Sequence, residues 1–289
     1  MKKFLALLLA LMMSLSLVAC GGNDAAEEEA PAEDTAVEDT AVEETPESDA
    51  AYIEGNGKVV VGITIYEPMN YYDEAGNLTG FDTEFALAVC DKLGLEAEFQ
   101  EINWDTKEIE LAGKTIDCIW NGMTITADRA ANMSISLPYV KNAQVIVVKA
   151  DSAYASTADL VDATLVAEMG SAGEAQIEGE DANADLAQAE YVGMNKQTDC
   201  LMEVKAGTAD AAVLDWTLAM SMVGEGTDFA DLTIVEGVEL ATEEYGIAFR
   251  KGSDVTAAVN AAIAELVADG TLPALAEKYG LALAPAIAG

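Results

Sequence analysis

The chain has 289 residues, with 52 acidic against 14 basic side chains, no histidine, and a net charge of −38 at pH 7. That length accommodates two domains of ordinary size, and that charge leaves nothing to neutralise a run of phosphates, which excludes nucleic acid as a partner. Without histidine there is no Ser-His-Asp triad, no His-Glu-x-x-His zinc site and no imidazole acid–base chemistry; no metal set and no cofactor motif takes their place.

Residues 1–20 read as a leader. Lys2 and Lys3 supply its positive start, and Phe4 to Ala19 an apolar run that is short for a membrane span. It ends Leu17-Val18-Ala19-Cys20-Gly21, which resembles the bacterial lipoprotein signal and implies cleavage before Cys20 and lipid on its thiol. Residues 21–57 contain neither Lys nor Arg and are dominated by Ala, Glu, Asp, Thr and Pro. Such a run buries too little apolar surface to fold, so it is expected to be a disordered tether. With Cys20 assigned to lipid, Cys90, Cys118 and Cys200 remain. Cys90 and Cys118 fall in apolar runs and read as core thiols, with a bridge between them left open.

Val59 to Ile65 is nearly continuous in apolar residues, the pattern of a buried strand, and Pro68 bars further pairing. Asp73 to Asn77 is a turn, and a helix over Thr83 to Leu93 is stopped by Gly94. Leu95 to Ile102 is the next strand; Asn103 and the exposed-looking Trp104 open a loop, and Asp105 with Glu108 has capping-box spacing for a short helix. Thr115 to Trp120 is a strand left through Asn121-Gly122-Met123-Thr124. Thr126 then caps a helix with Arg129 in its first turn, where an arginine gains nothing from the helix dipole, so an anion or a partner surface is its expected role.

A second strand–helix series starts at Gln144 to Lys149. Leu165 to Glu168 is a strand, and after Gly170 the pair Ser171 and Glu174 forms another capping box whose free amides suit a carboxylate. Residues 178–190 read as surface, Gln197 to Ala206 as a helix stopped by Gly207, and Ala211 to Leu214 as a strand with Asp215 and Trp216 at its carboxyl end. Ser221 to Asp228 reads as a loop, Leu232 to Val235 as a short strand and Glu244 to Arg250 as the last one. Asp254 to Ala268 carries an apolar stripe at helical spacing and Leu272 to Tyr279 is a final helix. Polar and aromatic residues collect where strands hand over to helices, the end of an open parallel sheet that carries ligands.

Five stretches carry a family resemblance: YEPMNYYDEAGNLTGFDTEFALAVCDKLG, WDTKEIELAGKTIDCIWNGMTITADRA, AGTADAAVLD, YGIAFRKGS and ELVADGTLPALAEKYG. In this order and spacing, the chain resembles the solute-binding proteins of ABC importers for polar amino acids, over roughly residues 58–280. The resemblance implies an α/β fold of the two-lobed periplasmic-binding-protein type II kind, with a ligand cleft between lobes joined by two crossover strands. Lobe 1 would comprise 58–142 and 244–289, and lobe 2 with the crossovers 143–243.

Carried over residue by residue, Tyr66 and Trp104 match aromatics that pack on the ligand, and Gly122 and Thr124 match positions offering backbone and hydroxyl hydrogen bonds. Arg129 matches the arginine that grips the α-carboxylate, Asp215 the acid that takes the α-ammonium, and Ser171 with Ala172 the helix-start site of lobe 2. Glu168 stands where members vary with substrate. Met69 replaces the family's usual aromatic, and the stretch before Tyr66 is a residue short of the pattern and lacks its aspartate. The implied protein binds an amino acid, works with ABC permease subunits, is a monomer without cofactor, metal or enzymatic activity, and sits lipid-anchored at the extracellular face of the membrane or in the periplasm. The alternatives are a dehydratase-like enzyme on the same scaffold, with Glu168 as its proton-transfer group, and a ligand-binding partner of a separate sensor.

Overall fold

The computed structural model describes residues 48–238 and 240–288. The leader, Cys20 and most of the expected tether lie outside these residues.

Helix α1 (Asp49–Asn56) leads into β1 (Lys58–Ile63), and a hairpin of β2 (Tyr71–Tyr72) and β3 (Leu78–Thr79) precedes α2 (Phe81–Leu93). There follow β4 (Glu96–Glu101), α3 (Lys107–Ala112), β5 (Cys118–Ile119), α4 (Ala127–Asn132) and β6 (Ser134–Ile135). The chain then runs through β7 (Val140–Lys149), β8 (Thr164–Glu168), α5 (Ala172–Glu178), β9 (Glu190–Met194), α6 (Gln197–Ala206), β10 (Ala211–Asp215), α7 (Trp216–Met222) and β11 (Leu232–Ile234). It returns through β12 (Ala241–Tyr245) and β13 (Ala248–Phe249) to α8 (Val255–Ala268) and α9 (Thr271–Tyr279).

Two sheets make two lobes. The first has strand order β4-β1-β5-β13-β6, with β1 parallel to both β4 and β5 and the returning β13 antiparallel to its neighbours. The second has order β11-β7-β10-β8-β9, with β8 parallel to β9 and to β10. The connection between lobes is one long pairing: β7 runs antiparallel to β12 from Val140 opposite Tyr245 to Gln144 opposite Ala241. β7 therefore begins four residues before the expected Gln144, because β12 supplies a partner that the strand's own pattern does not reveal. In the same way the expected strand Glu244 to Arg250 divides into β12 in the connection and β13 in lobe 1.

Helix ends follow local chemistry. Gly94 and Gly207 close α2 and α6 in the left-handed conformation, each returning its amide to the last turn. α8 buries Val255, Val259, Ala262, Ile263 and Leu266, the stripe read from its spacing. The expected loop at Ser221 begins inside α7, and Glu190–Met194, which follows the stretch read as surface and has no assignment in the sequence reading, is an edge strand paired with β8.

The tether does not extend to residue 57. α1 occupies the end of it, because lobe 1 supplies what the acidic segment lacks. Arg250 donates from Nε to Asp49 Oδ1 at 2.7 Å and from Nη2 to Asp117 Oδ1 at 2.9 Å. Asp254 accepts from Ser48 Oγ at 2.6 Å and Ala50 N at 2.8 Å, and Ile53 is buried in the core. Cys90, Cys118 and Cys200 are free buried thiols, and burial raises the Cys90 thiol to about 11.

Candidate functional site

Residues from both lobes and from the connecting strands meet around Arg129 and Asp215. Arg129 lies in the first turn of α4, whose start is fixed by Thr126 Oγ1 accepting from Arg129 N at 3.1 Å. Arg129 is 8% exposed; Nη1 donates to Thr124 O at 2.8 Å and Nη2 reaches into lobe 2 to Gly170 O at 3.0 Å. Among the described residues it has no carboxylate at ion-pair distance, and burial lowers its affinity for its proton. A buried guanidinium supported only by neutral carbonyls is a cation prepared for an anion.

Lys107, which the sequence reading passes over, joins the same carbonyl. Its ammonium donates to Gly170 O at 2.9 Å and to Trp104 O at 3.0 Å, and lies 4.8 Å from the centre of the Trp104 ring. Burial, then the charge of Arg129, bring its pKa down to about 8. Trp104 is not exposed as expected: its ring packs with Leu111, Ile116, Ile119 and Met123, where the turn after β4 folds back on the sheet.

Asp215 ends β10 and is buried. Its Oδ1 accepts from Asn142 Nδ2, from Gln144 Nε2 at 2.8 Å and from Tyr245 OH at 2.9 Å, while Gln197 Nε2 donates to Oδ2. Glu243, on β12, is its neighbour. Glu243 Oε1 accepts from Asn142 Nδ2 at 2.6 Å, Gln144 Nε2 at 2.8 Å and Thr124 Oγ1 at 2.8 Å. No amide or hydroxyl donor of the described residues reaches Glu243 Oε2, and the two carboxyls themselves lie within hydrogen-bonding reach of each other. Burial raises both carboxyls, Glu243 to about 7, with the charge of Asp215 the next cause.

Tyr66 hydrogen-bonds through its hydroxyl to those of Thr217 in lobe 2 and Tyr245 on β12, so its polar end joins the Asp215 cluster. Its ring lies against Gly122, which has φ +56° and where a Cβ would meet Tyr66 Cε1 at 2.6 Å, so glycine is required by both conformation and space. The Gly122 amide donates to Asp82 Oδ2 at 2.7 Å. The Thr124 hydroxyl is likewise engaged, with Glu243.

Glu168 ends β8 and is 4% exposed. Burial, then the charge of Asp215, raise it to about 8, while Lys107 and the amide of Gln197 oppose the rise. It has no ion-pair partner among the described residues. Ser171 caps α5, its Oγ accepting from Glu174 N at 3.1 Å, and Glu174 Oε2 accepts from Gly170 N at 2.7 Å rather than from the cap itself. Ser171 and Ala172 line the cleft mouth together with Lys107 and Arg129.

The sequence-predicted residues thus come together, with Arg129 and Trp104 on one side, Glu168, Ser171, Ala172 and Asp215 on the other, and Tyr66, Gly122 and Thr124 between. What sequence reasoning missed is Lys107 and the polar set of the connection, namely Asn142, Gln144, Glu243 and Tyr245. The signal was period-two polarity: Asn142 with Gln144, and Glu243 with Tyr245, each share one face of a strand.

The family model described as bacterial extracellular solute-binding proteins, family 3, matches residues 59–282. The arginine-binding extracellular protein ArtP of Bacillus subtilis is 29% identical over 282 residues, covering 96% of this chain and 98% of its own length. The L-cystine-binding protein TcyJ of Escherichia coli is 31% identical over 231 residues, covering 78% of this chain and 84% of its own. Among solved structures, a mutant of ArgBP from T. maritima is 34% identical, covers 80% of this chain and 99% of that one, and superposes with a TM-score of 0.73.

Proposed function

The chain belongs to the bacterial extracellular solute-binding proteins of family 3, and on that premise we propose that it captures an amino acid outside the cell and delivers it to an ABC permease for uptake. The observation that supports this most directly is the split of charge across the cleft. Arg129 is a buried cation with no carboxylate at ion-pair distance among the described residues, and buried Asp215 with part-buried Glu243 forms an acid pair with no cation at ion-pair distance among them. An α-amino acid carries one carboxylate and one ammonium at fixed separation and answers both.

In this reading Arg129 holds the α-carboxylate, with Ser171 and Ala172 at its edge. The α-ammonium goes to Asp215 and Glu243, replacing the hydrogen bond between the two carboxyls. Tyr66, Trp104, Gly122 and Thr124 shape the walls, Trp104 through its ring edge and the ammonium above it. Glu168 faces the ligand side chain and favours a cationic or amide group. Closing the lobes around the ligand pairs Arg129 with the α-carboxylate and the acid pair with the α-ammonium. The chain acts as a monomer and catalyses nothing. Lipid on Cys20 holds it at the extracellular face of the membrane, so Cys20→Ser should release it into the medium or block its processing; unchanged membrane retention would remove that part of the reading.

The test is a thermal-shift screen of residues 48–289 against the twenty amino acids and cystine, followed by calorimetry on the strongest hit. Saturable binding with intact ligand recovered supports the transport reading. Chemical conversion of the ligand would instead favour a Glu168-dependent enzyme, and the absence of any binding would refute both.

A further inference from the structure

The Gly170 carbonyl has an unusual pair of donors. Lys107 Nζ and Arg129 Nη2, both from lobe 1, reach the same oxygen in lobe 2, at 2.9 and 3.0 Å. Both cations are buried, and neither has a carboxylate at ion-pair distance among the described residues. Gly170 permits the approach: it has φ +71°, and a Cβ there would meet Lys107 Nζ and Asp105 Cα, each at 3.1 Å. One neutral oxygen accepts from two cations and cancels neither, while each raises the other's cost. Two of the three ammonium donors of Lys107 are used, on Gly170 and Trp104, and one is left.

We infer that Lys107 is a second cation for the ligand's carboxylate, acting beside Arg129, and that its bond to Gly170 is the latch by which lobe 1 holds lobe 2 over that carboxylate. The inference rests on the amino-acid reading above. An anion placed at Arg129 relieves the repulsion between the two cations, so the closed lobes are stabilised by carboxylate and penalised without it. The groups facing the ammonium are Arg129 from α4, Glu108 on its own helix, Asp105 from the preceding turn and Glu168 from β8. Since its own pKa has come down to about 8, the latch is charged at neutral pH and loses that charge above that value, keeping only a neutral amine donor.

The experiment uses the twenty L-amino acids and L-cystine, then the strongest binder and its α-amide, which keeps the side chain and ammonium but lacks the anion. Calorimetry compares wild type, Lys107→Met and Lys107→Arg. Lys107→Met should weaken the acid at least about tenfold, as loss of a charged hydrogen bond does, and leave the amide unchanged. Lys107→Arg should restore acid binding. Wild-type affinity for the acid should fall above about pH 8 more steeply than that of either variant; the ligand amine and Glu168 titrate nearby and are common to all three, and Glu168→Gln should keep the excess fall. If Lys107→Met fails to fold, Lys107→Arg against wild type in the pH series carries the test. Equal acid affinities and equal pH profiles across the three proteins would overturn the role of Lys107 while leaving amino-acid binding in place. Binding of none of the probes would overturn that reading and this inference together.

Discussion

Asp215 and Glu243 are held by the same two amides: Asn142 Nδ2 and Gln144 Nε2 each donate to Asp215 Oδ1 and to Glu243 Oε1. Two carboxyls from different strands are thereby fixed side by side in a buried site, where full ionisation of both is opposed by desolvation and by each other. A cation between them removes that opposition. In the amino-acid-binding reading proposed above, the acid pair is the ammonium site, and ligand binding is tied to proton balance.

The first prediction concerns pH. Glu243 is raised to about 7, Glu168 to about 8 and Asp82 to about 7, in each case mainly by burial. Each holds its proton more tightly folded than unfolded, so folding stability falls as pH rises from the ordinary carboxyl range to about 8. Lys107 works in the opposite sense, but only above about 8. With no histidine in the chain, no ordinary side chain titrates between pH 6 and 8 to obscure this. Urea unfolding of the ligand-free protein should give a stability lower at pH 8 than at pH 6 by about 1 kcal/mol or more. Equal stability, or a rise toward pH 8, would contradict the buried placement of these groups.

Arg129→Ala should weaken binding of the strongest amino acid by more than about 2 kcal/mol, the scale of truncating one partner of a buried charge pair. The same substitution should relieve a buried unpaired cation in the free protein, so its ligand-free melting temperature should not drop. Calorimetry and a melting curve together check this; an affinity within twofold of wild type would mean that the carboxylate is held elsewhere.

Glu168→Gln should change ligand preference more than ligand affinity. If Glu168 meets the side-chain end, the ratio of affinities for lysine or arginine over glutamine should fall by about tenfold, since a neutral amide no longer answers a cation. Competition binding with these three amino acids measures it, and an unchanged ratio would remove Glu168 from the specificity end.

α1 should separate two truncations. A chain starting at residue 48 keeps the Arg250–Asp49 pair and buried Ile53; one starting at residue 58 loses both. The shorter protein should be less stable by about 2 kcal/mol, from the loss of one buried aliphatic side chain alone. Both should bind ligand alike, because α1 is held by Arg250 and Asp254 and makes no hydrogen bond or ion pair to Arg129 or Asp215 among the described residues. Equal melting temperatures would show that the helix is not held as described.

How legible this was in the sequence depended on range. Thr126, Ser171, Gly94 and Gly207 mark helix ends through bonds to residues a few places away, and their helices appear where the local chemistry puts them. Arg129 stood out because an arginine in a helix's first turn gains nothing from the helix dipole, but its role as a carboxylate grip came only from the family resemblance. Glu243 was not: it meets Asn142 and Gln144 across about a hundred residues, and nothing in ATEEY distinguishes an inward glutamate from a solvated one. Lys107 looked like one more charge on a short exposed helix, since its partner Gly170 contributes only a backbone oxygen. α1 was hidden for the converse reason, as its stability comes from Arg250 at the other end of the chain.

Asn142 and Gln144 belong to β7, and Glu243 and Tyr245 to β12, at the stretch where these two strands pair and join the lobes. The side chains proposed to hold the ligand's ammonium are therefore rooted in the strands that connect the lobes. Stiffness and selectivity become one property: a substitution there that changes which ligand is preferred also resets how readily the lobes swing, and a substitution that loosens the swing disturbs the ammonium seat. Selection acting on substrate range has more freedom at Glu168, which stands at the end of β8, outside that pairing.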